Sequence, residues 1–252
     1  MSGQLYRTIW LLFFVAASLG NVSSGQSKAA NTGSIPPLDE VVNRARAAAD
    51  QNRARWSSYR LLREYRMFHE RNSTPMAEVK AELVYDPNGN NGYQILESKG
   101  SERGSKIVSR LLDGEANGWS KFSHPHPPTA ISRDNYDFSF LGTESLDGHQ
   151  TYILGLHPRR KDTGLIEGKV WIDAETYLVR KIVGQEAKAP SWWVHEVNLV
   201  LTFGQIGGMW LQTTTQAVAD VRIVGKYTLV SRALEVKTAD MAQTDRHPPS
   251  VP

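Results

Sequence analysis

The chain has 252 residues, enough for one sizeable domain or two small ones, and its 40% apolar and 22% charged residues are the balance of a soluble globular protein. Lysine and arginine exceed the acids by 29 to 26, a formal charge of +3 scattered along the chain without a basic block, which argues against a nucleic-acid partner. Cysteine is absent, which excludes disulfides, thiol catalysis, thiolate metal sites and the cysteine-borne lipid anchor of bacterial lipoproteins.

Taken in order, the chain opens with Arg7, an apolar run over residues 9–17, and then small residues from Ser18 through Gly20 to Gly25. This is the pattern of a secretory signal peptide over residues 1–25, with an apolar core too short to span a membrane comfortably. An exported, periplasmic protein is the expectation. Residues 26–36 are rich in small and polar side chains and read as a flexible leader to a domain over residues 37–237. Pro36-Pro37 introduces a helix in which Leu38, Val41, Val42, Ala45, Ala48 and Ala49 recur at helical spacing, with Asp39 and Glu40 at its positive end.

Strands follow. Tyr59, Leu61, Tyr65 and Met67 share one phase of a period-2 pattern, with Arg63 among them. Ala77, Val79, Ala81, Leu83 and Tyr85 then alternate with Glu78, Lys80 and Glu82, the pattern of a half-buried strand. Residues 86–92 form a turn by composition, and Tyr93 and Ile95 begin the return. Ile107, Val108, Leu111 and Leu112 predict a short helix closed by Asp113-Gly114. Residues 115–134, with Trp119, Phe122 and the His124-Pro125-His126-Pro127-Pro128 run, read as a long irregular loop.

The remainder is strands up to a polar, proline-rich tail over residues 238–252. Tyr136, Phe138 and Phe140 alternate up to Leu146, and Asp147-Gly148 signals a hairpin. Tyr152, Leu154 and Leu156 share a phase, Val170 and Ile172 flank Trp171, and Leu178, Arg180 and Ile182 line one face of the next strand. Trp193, Val197, Leu199, Leu201 and Phe203 are in phase, a segment from Trp210 to Ala217 returns, and Val221, Ile223, Tyr227 and Leu229 share a phase in the last strand. The sum is mainly β: about ten antiparallel strands and two helices, with no βαβ alternation.

Enzyme signatures are missing or defective. No nucleophile elbow, phosphate loop or dinucleotide glycine pattern occurs. His195-Glu196 opens like a zinc-protease helix, but Leu199 stands where the second histidine belongs. Asp86, Asn88, Asn90 and Glu97 fall at calcium-loop spacing, but the required glycine comes one place late at Gly92, and a hairpin turn fits better. His124 and His126 lack an obvious third ligand. Arg159-Arg160-Lys161 can face an anion, though a solvated turn is the simpler reading. No metal, cofactor or catalytic residue is expected. Arg63, on an apolar strand phase, is a candidate polar latch to a covering helix, or else an edge residue that snorkels.

Several stretches resemble the LolA/LolB-like superfamily of periplasmic lipoprotein carriers, which also includes the sensor domain of RseB. They are Gly142-Thr143-Glu144-Ser145-Leu146-Asp147-Gly148-His149 followed by Tyr152, Leu154, Leu156 and Pro158; then Gly168-x-Val170-Trp171-Ile172-Asp173; then Leu178-Val179-Arg180-Lys181. The resemblance covers roughly Leu38 to Val236. It implies an open, curved antiparallel sheet of about 10–11 strands, a half-barrel, with the N-terminal helix and a short mid-chain helix over its concave face. It implies further an apolar cavity that receives a lipid or a lipoprotein acyl chain. The chain departs from the carriers at Asp86, where they place a basic residue before the proline, and in lacking the receptor's anchoring cysteine. The expectation is a non-enzymatic, monomeric periplasmic binding protein. Tyr59, Leu61, Tyr65, Met67, Val79, Leu83 and Ile95 are expected in the cavity, joined by Trp193, Leu199, Leu201 and Trp210. Val41, Val42, Ile107 and Leu111 are expected on the lid, and Arg63 as a latch. Each methylene buried there stabilises binding by roughly 0.8 kcal/mol. The alternative is a sensor or scaffold of the same fold that binds a protein partner through the 115–134 segment and open sheet edges; a membrane or protein partner is a further expectation.

Overall fold

The computed structural model describes residues 35–70, 72–86, 91–122 and 130–238, with side chains in the second helix described as far as residue 116. The signal-peptide and tail readings lie outside these residues, as do Pro87, Asn88, Asn90, His124 and His126 and the side chains of Trp119 and Phe122.

The helix α1 spans Leu38–Ala54 and begins directly after Pro37, whose lack of an N–H costs nothing at a helix start; the Pro37 carbonyl accepts from the backbone N–H groups of Glu40 and Val41. The strands are β1 (Tyr59–His69), β2 (Ala77–Tyr85) and β3 (Gly92–Gly100) before the second helix, α2 (Glu102–Phe122). After it come β4 (Tyr136–Leu146), β5 (His149–Pro158), β6 (Ile166–Asp173), β7 (Val179–Glu186), β8 (Val194–Ile206), β9 (Met209–Val221) and β10 (Gly225–Thr238). All ten form one antiparallel sheet in the order β3-β2-β1-β10-β9-β8-β7-β6-β5-β4. Its ends, β3 and β4, do not pair with each other, so the sheet stays open.

This order explains where α2 sits. β3 and β4 are neighbours in sequence but lie at opposite edges of the sheet. The connection between them therefore crosses a face, and α2 is most of that connection. The face it crosses carries the inward phase of β1 and β2: Tyr59, Leu61, Tyr65, Met67, Val79 and Leu83 are all buried in one hydrophobic cluster with Val108, Leu111 and Leu112 of α2.

Bulges interrupt the ladders and give exposed apolar side chains a local cause. Leu96, Leu141 and Leu234 are each skipped in the pairing of β3, β4 and β10, and each is half exposed. A bulge inserts one residue without a partner and bends the strand, which is how a long sheet curves.

Two expectations are corrected. The mid-chain helix is not a short turn ending at Asp113-Gly114 but runs 21 residues to Phe122, so Glu115 belongs to a helix and not to a loop. An internal glycine costs about 1 kcal/mol of helix propensity, whereas burying Val108, Leu111 and Leu112 contributes roughly 5–9 kcal/mol, so tertiary packing carries the helix through Gly114. The last strand also breaks differently. Val221 ends β9 and β10 begins at Gly225, so Ile223 sits in the turn between them, fully exposed rather than in phase with Tyr227 and Leu229.

Candidate functional site

Beneath α2 lies a cavity of about 80 Å³ with predominantly apolar walls. Ile107 and Leu111 of α2 roof it, Met67 of β1 closes one side, and Val197, Ala217 and Leu229 of β8, β9 and β10 form its floor. Trp193, in the turn before β8, stands at its rim, and Arg103 marks its mouth. The alanines on β9 leave the space that a larger side chain would fill. Ligand pockets typically enclose about 300–1,000 Å³, so this cavity is smaller than an ordinary ligand pocket.

Besides its apolar face, a buried polar cluster ties α2 to the sheet. Arg63 and Glu115 are each 3% exposed and Tyr65 is fully buried. The Arg63 guanidinium donates to the Gln212 carbonyl at 2.7 Å and faces the Glu115 carboxylate at 3.6 Å. The Tyr65 hydroxyl donates to the other Glu115 oxygen at 2.8 Å. Burial, then the adjacent Glu115 charge, raises the Tyr65 pKa well above the usual phenol range, so this proton stays on Tyr65. The Arg63 Nε has no acceptor among the described residues, and neither has the buried Ser231 hydroxyl as donor or acceptor. A charge pair taken out of water and left partly unsatisfied contributes little net stability but is costly to break from one side. It thus fixes one position of α2 more than it strengthens the fold.

A second set of contacts ties α1 across the sheet. The Asn52 side-chain amide donates to the Trp210 carbonyl at 2.8 Å and accepts from the Trp210 N–H at 3.3 Å. The Trp210 indole donates to the Val179 carbonyl at 2.9 Å, with the Arg180 guanidinium over its ring at 5.2 Å. Arg44 donates to the Tyr177 hydroxyl at 3.1 Å, and Asp39 pairs with Arg133.

The residues singled out from the sequence separate into five places. Met67, Ile107, Leu111 and Trp193 line the cavity. Tyr59, Leu61, Tyr65, Val79, Leu83, Leu199 and Leu201 belong to the packed cluster around it, as do Val41 and Val42 of α1. Trp210 serves the α1 anchorage. Ile95, on the edge strand β3, is 36% exposed and away from the cavity. Arg63 is fully buried and bonded, not snorkelling at an edge. Sequence reading missed Glu115, Val194 and Ala219. Glu115 follows Leu111 by four residues and so shares its helix face, a signal hidden by ending the helix at Gly114.

Of the other motifs, Arg159 makes two hydrogen bonds to Asp137, at 3.1 and 2.7 Å, and Arg160 reaches Asn135 and Asp162, so that turn is internally paired. His195 lies on β8, not on a helix, and among the described residues no three His, Asp or Glu side chains converge on a metal position.

No family model and no curated protein matches this sequence. The chain is similar in structure to a LolA superfamily protein from Nitrosomonas europaea, at 14% identity over 85% of this chain and 99% of that one, with a TM-score of 0.43. It is similar also to a putative outer membrane lipoprotein-sorting protein domain from Vibrio parahaemolyticus, at 14% identity over 77% and 91%, with a TM-score of 0.41. A third similarity is to MucB in the MucA/MucB complex of Pseudomonas aeruginosa, at 13% identity over 81% and 95%, with a TM-score of 0.25.

Proposed function

We propose that this chain is a non-enzymatic binding protein that holds the acyl chain of a lipid or lipoprotein between α2 and the inner face of β8–β10, exported and working in the periplasm. The observation that carries this reading is an apolar cavity roofed by a helix that the buried Arg63–Glu115–Tyr65 cluster ties to the sheet. The helix has two physical states available. Latched, it fills the inner face with Ile107 and Leu111. Lifted, it exposes apolar surface that an acyl chain covers at roughly 0.8 kcal/mol per methylene. A ligand bound only to the lifted state shifts the helix toward it by its own affinity difference. The titratable cluster is too enclosed for a substrate to reach, which favours binding over catalysis.

The test is uptake of a fluorescent fatty acid by protein stripped of lipid. Saturable binding at micromolar concentration, lost on Val197→Trp, supports the reading. No uptake by a protein whose fold is intact overturns it.

A second reading has its own observation. The edge strand β4 presents Phe140 and Leu141 to solvent, and the other edge, β3, presents Ile95 and Leu96. Open edges with apolar side chains suit strand addition by a protein partner. A partner captured from periplasmic extract and released by Leu141→Lys would favour this sensor or scaffold role.

A further inference from the structure

The apolar cavity opens beside a second, polar groove, and the two share Arg103, Val221, Val224 and Tyr227. Two loops flank this mouth. One precedes β8 and ends in Trp192-Trp193; the other is the β9–β10 turn, Arg222-Ile223-Val224. They are joined by a hydrogen bond from the Arg222 N–H to the Trp193 carbonyl at 2.7 Å. Trp192 is 74% exposed and Ile223 fully so, the two most exposed large apolar side chains among the described residues. Neither is a bulge residue, so the cause that serves Leu96, Leu141 and Leu234 does not serve them. Ile223 also has φ of 75°, a left-handed conformation that β-branched residues rarely adopt. Its side chain gains no burial in return. A strained, solvated isoleucine is placed for something outside the fold.

The charges around the mouth complete the pattern. Arg103 and Arg222 are exposed and have no ion-pair partner among the described residues. Lys226 lies 3.8 Å from Asp220. Glu70 packs against Gly225, and Lys188 is exposed on the loop before β8. Cations therefore outnumber the two acids. His69 is engaged with the Val224 carbonyl at 2.7 Å. Exposed tryptophan and isoleucine beside unpaired arginines form the side-chain set that seats a protein on a bilayer: the rings and the aliphatic chain enter the interface, and the guanidinium groups meet lipid phosphates.

We infer that the Trp192 and Ile223 loops dock this protein on an anionic phospholipid bilayer, with the cavity mouth facing the lipid. This rests on the reading of the cavity as an acyl-chain site. An acyl chain leaving the bilayer would then pass between Arg103 and Tyr227 into the cavity without crossing water.

Sedimentation of the full chain with vesicles tests the inference. Vesicles of phosphatidylcholine containing roughly a third phosphatidylglycerol are expected to bind it several-fold better than phosphatidylcholine alone, at about one lost fivefold factor per removed arginine. Trp192→Ser/Ile223→Ser should weaken the binding at least roughly tenfold, and Arg222→Ser about fivefold, with loss in high salt. None of these three residues lines the cavity, so uptake of soluble fatty acid should be unchanged. Vesicle binding by the variants equal to that of the unaltered chain overturns the inference, because some other segment then holds the membrane. So does equal binding to neutral vesicles, or no binding at all. Failure of the cavity reading looks different: fatty-acid uptake is absent from every form while the tip variants still lose the vesicles.

Discussion

Replacing Arg63 with methionine removes the cation that faces Glu115 but leaves that carboxylate buried, with the Tyr65 hydroxyl as its remaining hydrogen-bond partner in the cluster. Methionine is of similar length and apolar, so little cavity forms. The cost is that of stranding a buried charge, about 3–5 kcal/mol from the behaviour of broken buried pairs. The Gln212 carbonyl also loses its donor at 2.7 Å, which costs about 1 kcal/mol more. Glu115→Leu should cost a similar amount by stranding Arg63. The double variant strands no charge, so its loss should fall well below the sum, with a coupling of roughly 2–4 kcal/mol. Urea unfolding reads this directly: at a slope of roughly 2 kcal/mol per molar, Arg63→Met lowers the midpoint by roughly 2–3 M and Glu115→Leu by roughly 1.5–2.5 M, and the double variant by roughly 1–2 M less than the two shifts added together. Additive losses would refute the coupling. A single-variant loss below about 1 kcal/mol would show that Arg63 and Glu115 are already solvated, and that α2 is not held at this point.

Three further outcomes follow from the same geometry. Val197→Trp should fill the floor of the cavity and abolish fatty-acid uptake, at a cost of about 1–3 kcal/mol of overpacking measurable by thermal unfolding. Gly168→Ala should prevent the β6–β7 pairing, because a Cβ there strikes the Val183 carbonyl and the Gly184 backbone; little soluble protein is expected, whereas Gly92→Ala, with open space around it, should express normally. Glu186 is buried, and burial pushes its pKa from 4.5 to about 7, outweighing the Gly164 N–H directed at it. The folded state therefore binds this proton more tightly than the unfolded chain. The stabilisation is complete below the unfolded value and is lost as pH rises toward about 7, by roughly 3 kcal/mol at about 1.4 kcal/mol per tenfold change in proton affinity. Glu186→Gln should flatten stability across that window and exceed the unaltered protein in stability at about pH 8, as read by urea midpoints.

The strands were legible because most face one core and write a period of two. Tyr59 to Met67 and Ala77 to Leu83 alternate so plainly that the residues sharing a face follow from the sequence, whereas the register between the strands does not. Arg63 stood out for the same reason, as a cation on an apolar phase. The reading failed where a bulge shifts the phase or where packing overrides local preference. The irregular pairing around His195 places Val194, not Trp193, in the buried set with Val197. Asp113-Gly114 has the composition of a helix end, yet the buried face on either side carries α2 onward and brings Glu115 to Arg63. Ile223 looked like the continuation of a strand because an isoleucine in phase with Tyr227 nearly always is one. Only the turn geometry shows it in solvent. The strand order was beyond composition altogether: that β10 pairs with β1, and that α2 must cross the sheet, depends on pairings between segments far apart in sequence.

The most direct measurement is native mass spectrometry of the protein purified from its host without detergent, followed by extraction and identification of what it carried. Binding under α2 predicts a lipid with at least one acyl chain at close to one per protein, reduced by Val197→Trp. A protein that arrives empty, keeps its fold and takes up no offered lipid would contradict the cavity's role.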